Sequence, residues 1–501
     1  MTRRLTGLGM VAALAIVAVP LAAKTPKREA IVATVEAQHD ATVKALRDWV
    51  ALPTIAAEKR GTPEGAEYMR KLALDAGFQQ AKIIPTDGVP AVFATLDAGA
   101  KTTVGIYFMY DVKQFDPAEW NSPPLDAKLV DRPGEGVSIV GRGVVNQKGP
   151  QIAFLAAIKA IRTSGRKLPV NLVLVAEGEE EVASTHFDQV VAVPEVQAAL
   201  AKTIGVFIPA ASQNKDGSAG ITLGAKGAVE FQLVVGGETS DKYPKTDIHS
   251  SNYSRIESPA WRLVKALDTL VADDGHTPAI DGWFEHVQTL TPRQKQLIAE
   301  SAKPELEAQE KALLGVGQWI NDEDYRTSLE RFYSQPTVNI QGLVSGYTGE
   351  GGKTVLPGRA EAKLEFRLVP NMTKDEAVTK LRAHLAKRGF DDVRVTVSGG
   401  YGPNETAEDS VLVRAQKRMF DESGIPYTIR PRNAGSWPGV VFNGPPLGLP
   451  ASQFGLGRGG GAHAPNEWFL IESTDPKVYG LDKGVMAYVD YLYVLAEEAA
   501  K

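Results

Sequence analysis

Apolar and polar positions along the chain follow two patterns, and they divide it into regions. From residue 29 to 52, apolar side chains recur at three- and four-residue spacing, which predicts an amphipathic helix. The run Thr103–Met109 (T-V-G-I-Y-F-M) is almost continuously apolar, and so are residues 170–176 (V-N-L-V-L-V-A) and 204–208. Short runs of this kind predict strands buried on both faces. Between the first two lies an Ala- and Ile-rich helix at 151–161, reached through Gly141-Arg142-Gly143. Buried strands alternating with helices predict a mainly parallel α/β sheet, whose ligands bind at the carboxyl ends of strands.

After about Gly224 the pattern changes. Residues 228–235 and Arg359–Leu368 alternate with period two, 259–271 and 374–388 carry helical stripes, and 392–397 reads as a further strand. A long polar excursion fills 273–331. From Tyr401 the chain returns to helix and short apolar strands, and it closes on a helix at 484–499. The expected organisation is one α/β domain from residues 24–224 and 401–501, interrupted by an α+β insert at 225–400.

The first residues stand apart. Arg3 and Arg4 precede an apolar run from Leu8 to Ala23 that ends in small residues, the form of a secretory signal peptide at 1–23. The run is short for a bilayer and contains Pro20, so the mature protein is expected to carry no membrane anchor and to be periplasmic or secreted. Composition then removes several chemistries. The chain has no cysteine, which excludes disulfide scaffolds, thiolate zinc sites and thiol nucleophiles. A net charge of −5 over 501 residues gives no footprint for nucleic acid.

Four polar clusters stand where a ligand would bind. Met109-Tyr110-Asp111 ends the first buried strand, and G-R-G-V-V-N-Q-K-G (Gly141 to Gly149) leads into a helix. E-G-E-E-E-V-A-S (Glu177 to Ser184) ends the second strand, and G-A-H-A-P-N-E (Gly461 to Glu467) lies near the C-terminus. Singly, each reads as a solvated loop or a turn. In this order they resemble the aminoacylase/carnosinase/carboxypeptidase-G family of zinc metallopeptidases. There the corresponding segments read H-x-D, G-R-G-x-x-D-x-K-G, E-E-x-G-S and H-x-x-N-E, with a further acidic ligand after the third strand. The resemblance covers essentially the whole mature chain. It implies a mainly parallel-sheet zinc-peptidase-like α/β catalytic domain carrying two metals, with an inserted α+β lid through which two copies form a homodimer.

Carried over residue by residue, the resemblance places Glu180 on the general base and Glu181 and His463 on ligands of one metal. In the insert, I-H-S at 248–250 places His249 on a lid histidine that reaches the substrate. K-T-V-L-P at 353–357 places Thr354, and F-R-L-V-P at 366–370 places Arg367, on substrate contacts; Gly435-Ser436 matches a turn of the catalytic domain. An arginine fork pairs two carboxylate oxygens at once, which suits Arg367 to a substrate carboxylate.

Three positions depart from the family pattern. Its first metal-binding His is Met109 here, its bridging Asp is Asn146, and its third acidic ligand falls at Pro209-Ala210. A thioether is a poor zinc ligand and a neutral amide cannot bridge two dications. The losses remove the shell of one metal, so at most one zinc per chain is expected, on Glu181 and His463 with Asn146 as a weak third ligand. Asp111, whose family partner is the missing His, is a second catalytic candidate through pairing with Lys148, and His186 is a candidate replacement ligand. Trp120 is expected to pack.

Three readings stand at this point: a one-metal hydrolase of an amide bond in a small peptide or N-acyl amino acid, a metal-free hydrolase using Glu180, Glu181, His463 and Lys148, and a carboxylate- or peptide-binding protein on the same scaffold.

Overall fold

The computed structural model describes residues 28–501, so the signal segment expected at 1–23 lies outside the described residues. A six-stranded sheet forms the centre, in the order Gln80–Ile84, Ala91–Leu96, Asn171–Glu177, Thr103–Met109, Val206–Pro209, Ala451–Phe454. The last four strands pair in parallel, while Ala91–Leu96 runs against both its neighbours. The apolar runs of the sequence are continuous because both faces are covered. Val104, Ile106 and Phe108 enter a core shared with the helices Arg28–Val50, Gly149–Thr163 and Leu481–Glu498. Tyr107 enters a second core with Phe187, Trp437 and Phe442 on the other face. Burying each such side chain stabilises the fold by about 1.5–3 kcal/mol.

Strand order decides where the site forms. Thr103–Met109 lies between Asn171–Glu177 and Val206–Pro209, so the chain leaves it toward one side and later returns on the other. This is a switch point, and the carboxyl ends of the three strands open a crevice there. A second, antiparallel sheet completes the crevice by pairing Trp468–Ser473 with Gly136–Val140. That pairing sets the loop before Trp468 beside the loop after Val140, which is how two segments more than 300 residues apart meet. Trp120 packs under this sheet with Phe115, Val140, Trp468 and Leu470, as expected.

The insert is a four-stranded antiparallel sheet, in the order Thr337–Ser345, Arg359–Leu368, Gly227–Gly236, Arg394–Tyr401. The helices Pro259–Asp268 and Lys374–Lys387 cover one face through Leu263, Leu267, Leu381 and Leu385 against Phe231, Leu233, Leu364 and Phe366. Period two then turns Glu230, Glu365 and Arg367 to the other face, toward the catalytic domain. The polar excursion holds three helices, Pro292–Ser301, Pro304–Leu314 and Tyr325–Ser334. Sequence pattern passed over them because their start signals are polar. Thr291 and Gln294 form a reciprocal cap, and Asp324 caps the last helix. Leu297 of the first joins the catalytic-domain core, and Arg293 pairs with Glu408 at 2.9 Å. None of the described helices is long and apolar enough to cross a membrane.

Candidate active site

Between the strand ends and the insert lies a cavity of about 490 Å³. Its catalytic-domain wall is built by two pinned loops. Glu467, fully buried, accepts from the backbone N–H groups of Gly143 (2.8 Å), Val145 (2.9 Å) and Asn146 (3.0 Å), and from Arg142 Nη1 (3.0 Å). Four donors on one carboxylate hold the Gly-rich loop in one conformation and present Asn146 to the cavity. The other loop is the turn Glu180–Val182, held by Asp111, whose oxygens accept from the N–H groups of Glu180 (3.2 Å) and Glu181 (3.0 Å). The chain leaves that turn through Ala183 (φ 68°) and Ser184 (φ 49°), left-handed conformations that cost non-glycine residues on the order of 1 kcal/mol or more each.

These loops bring three side chains together. Asn146 Nδ2 lies 2.8 Å from Glu181 Oε1 and 3.0 Å from His463 Nε2, and His463 Nε2 lies 3.2 Å from the same Glu181 oxygen. The amide NH₂ donates to Glu181 Oε1 and, in the tautomer whose Nε2 carries no proton, to His463 Nε2 as well. A half-turn of the amide, at the loss of the 3.1 Å hydrogen bond from Gln147 Nε2 to Oδ1, makes three acceptors converge. Their spacing of 2.8–3.2 Å is a few tenths of an ångström under the ~3.3–3.6 Å ligand-to-ligand edge of a tetrahedral zinc shell with bonds of about 2.0–2.2 Å, so a small outward shift admits an ion. The donor set therefore fits one ion, with Glu181, His463 and Asn146 as its protein ligands. It does not fit a second: Met109 and Ala210 line the same cavity without an anionic donor, and Pro209 ends its strand outside the lining. Among the described residues no three His, Asp or Glu side chains form a metal-binding group.

Glu180 also lines the cavity, and its carboxyl makes no hydrogen bond to a described residue. Burial first, then the charges of Glu181, Asp111 and Glu177, push it well above the usual carboxylate range, while Lys113 pulls it down. A carboxyl raised in this way holds a proton more firmly than an ordinary carboxylate, which suits a group that must take one from water. Asp111 stands behind the wall, buried, and its part is to hold the turn. Burial, with the charge of Glu181, pushes Asp111 up from 3.8 to about 8 against the pull of its backbone hydrogen bonds. The folded protein thus keeps a proton that the unfolded chain has released above pH ~4. Stability from this group is full below that pH and falls as pH rises through about 8. In Asp111→Asn the decline between pH 5 and 8 should be shallower in urea midpoints; an unaltered slope would show that Asp111 does not titrate there.

On the insert's wall Arg367 Nη1 donates to Ser436 Oγ (2.8 Å) and Nη2 to Glu365 Oε2 (2.9 Å). His249 and Thr354 lie elsewhere, on and beside the short ribbon Ile248–His249 with Val355–Leu356, outside the lining of their own chain's cavity. Two expected pairings do not form. Lys148 turns away from Asp111 and donates to the Trp49 carbonyl (2.9 Å), the Leu52 carbonyl (3.3 Å) and Thr54 Oγ1 (3.1 Å). Burial lowers it to about 7, and it holds the first helix rather than serving the cavity. His186 binds Glu179 at 2.8 Å, outside the cavity lining, so it is no replacement ligand. Sequence reading passed over Lys113, Glu230, Glu365, Tyr401 and Gln453, which all line the cavity. Period-two alternation could have exposed Glu230 and Glu365, which are also direct cross-strand partners.

Comparison with known proteins gives concordant results. The profile described as peptidase family M20/M25/M40 matches residues 110–487. The chain is 26% identical over 461 residues to the Cys-Gly metallodipeptidase DUG1 of Candida albicans, spanning 87% of this chain and 92% of that protein. It is 27% identical over 399 residues to the Beta-Ala-His dipeptidase of Rattus norvegicus, spanning 74% and 76%. Among solved structures, an M20 family metallo-carboxypeptidase, Sso-CP2 from Sulfolobus solfataricus, superposes with a TM-score of 0.80 at 31% identity, covering 91% of this chain and 99% of that one.

Proposed function

The chain belongs to peptidase family M20/M25/M40, and from that premise we propose that it hydrolyses the amide bond of a small peptide or N-acyl amino acid bearing a free carboxylate, using a single metal ion. The observation that carries this reading is the convergence of Glu181, His463 and Asn146 at 2.8–3.2 Å beside Glu180 and across the cavity from Arg367. Charge supports one ion. Four lining carboxylates (Glu180, Glu181, Glu230, Glu365) against two fixed cations (Lys113, Arg367) leave a formal −2, which one dication cancels and two would invert.

Bound there, a divalent ion supplies a Lewis acid beside the substrate carbonyl. The chain's own residues do the rest. Arg367 and Ser436 seat the substrate carboxylate and so fix the scissile bond relative to Glu180. Glu180 takes a proton from water as the water oxygen bonds to the carbonyl carbon, and the C=O π pair moves onto oxygen. When that pair returns, the C–N bond breaks and the leaving nitrogen takes the proton from Glu180. Export and a homodimer through the insert belong to the same proposal. The exposed edge strand Thr337–Ser345, with Ile340, Leu343 and Val344 each about half exposed, offers the dimer surface. His249, outside its own cavity, then serves the second copy's.

Metal content by elemental mass spectrometry, with dipeptide hydrolysis measured with and without chelator, tests the reading. The expected result is about one ion per chain and hydrolysis that chelator abolishes. Two ions per chain would overturn the assignment at Met109, Asn146 and Ala210. Chelator-resistant turnover without metal would favour a metal-free hydrolase, which the amide already satisfying Glu181 and His463 makes chemically coherent. Neither metal nor turnover would leave a carboxylate-binding protein.

A further inference from the structure

One cation of the cavity has no part in that mechanism. Of the lining residues only Lys113 and Arg367 carry a fixed positive charge, and Arg367, beside Ser436 and Glu365 on the insert's wall, is assigned to the substrate carboxylate. Lys113 follows the strand Thr103–Met109, on the wall that holds Glu180 and Glu181. Its Nζ donates to the backbone carbonyl of Glu181 and stands 3.5 Å from Glu181 Oε2, with the side chain 29% exposed. An ammonium carries three N–H donors in tetrahedral array. The carbonyl takes one, and the ion pair with the carboxylate orients the head, which leaves an N–H for the cavity that the residue lines.

We propose that Lys113 is a catalytic residue whose remaining N–H binds the oxygen of the scissile amide as that oxygen becomes negative. The proposal rests on the hydrolase reading above and adds to its Lewis acid a second group, from the chain itself, that meets the developing charge. Met109, Ile208 and Ala210 line the same cavity and bring no charge or N–H donor from their side chains. Two anchors on Glu181 hold the ammonium in place before the reaction, so no reorganisation is needed when charge develops. As water adds to the carbonyl carbon, the π pair moves to oxygen, the proton goes to Glu180, and the oxyanion accepts the Lys113 hydrogen bond without taking its proton. When the C–N bond breaks, nitrogen keeps the bonding pair and takes the proton from Glu180. The C=O bond re-forms and Lys113 is released unchanged.

A purely structural ion pair with Glu181 makes different predictions. In Lys113→Met, kcat should fall about 100-fold with KM nearly unchanged, the loss typical of one oxyanion donor. Metal per chain, by elemental mass spectrometry, should stay as in the unaltered protein. Calorimetric binding of a phosphinic dipeptide analogue, whose tetrahedral anionic oxygens mimic the adduct, should weaken by about the same factor. Lys113→Arg, which keeps charge and donors, should recover part of both. Unchanged kcat in Lys113→Met overturns the assignment and leaves the hydrolase reading standing. So does loss of metal together with rate, which would mean that the lysine only holds Glu181. No turnover in the unaltered protein defeats the hydrolase reading, and this assignment with it.

Discussion

Glu180→Gln is expected to lower kcat about 1,000-fold, within the range of a lost general base, while the folded protein becomes more stable. The two effects have one cause. The Glu180 carboxyl makes no hydrogen bond to a described residue, and burial with the charges of Glu181, Asp111 and Glu177 disfavours its ionised form. An amide of the same shape removes that unfavourable charge but cannot accept a proton from water. Because the folded pKa is raised, the stabilisation should be absent at acidic pH, where the carboxyl is already neutral, and should grow as pH rises. Metal per chain should not change, since Glu180 is not among the three converging ligands. Thermal midpoints at two pH values, with kcat and elemental analysis, check all three statements. A variant that keeps kcat within about tenfold of the unaltered protein would remove Glu180 as the base.

Arg367→Met should cost about 100-fold in kcat/KM on substrates with a free carboxylate, and far less on the same substrates with the carboxylate amidated. The difference between the two substrates is the informative quantity, because it cancels any general disturbance of the cavity. Such a disturbance is expected. Arg367 supplies Glu365 with a partner at 2.9 Å, and Glu365 sits directly opposite Glu230 in the sheet register. Without the guanidinium, two like charges face each other across neighbouring strands. Glu365→Gln in the Arg367→Met background should therefore restore stability without restoring the preference for free carboxylates. Equal losses on both substrates would show that Arg367 shapes the insert and does not seat the carboxylate.

Much of this site could be read before any coordinates. Glu180 and Glu181 stand out because a strand buried on both faces ends abruptly in a polar cluster, and run length is a local signal. His463 and the departures at Met109, Asn146 and Pro209-Ala210 are legible only against the family's motifs, after which whether a side chain can ligate is a property of residue type. The helices within the excursion were not legible because their apolar stripes are short, as Tyr325, Leu329 and Tyr333 are in the last, and sit among polar residues. Lys148 was expected to pair with Asp111, and His186 was a candidate replacement ligand because it lies close in sequence to the carboxylate cluster. Folding turned the first toward Trp49, Leu52 and Thr54, and gave the second to Glu179.

By itself, then, the amino-acid sequence determined the α/β architecture with its α+β insert and the strand ends that carry polar clusters, both through periodicity. The resemblance of its motifs to the family's added the expectation that one metal shell is incomplete. Only the tertiary structure decided that Asn146 bridges Glu181 and His463, that Asp111 braces the turn, that Glu467 pins the Gly-rich loop, and that Lys113 lies against Glu181 in the cavity wall. Those outcomes depend on which strands pair and in what register. A side chain's direction follows from pairings across long separations, such as the 325 positions between Arg142 and Glu467, which no local pattern encodes.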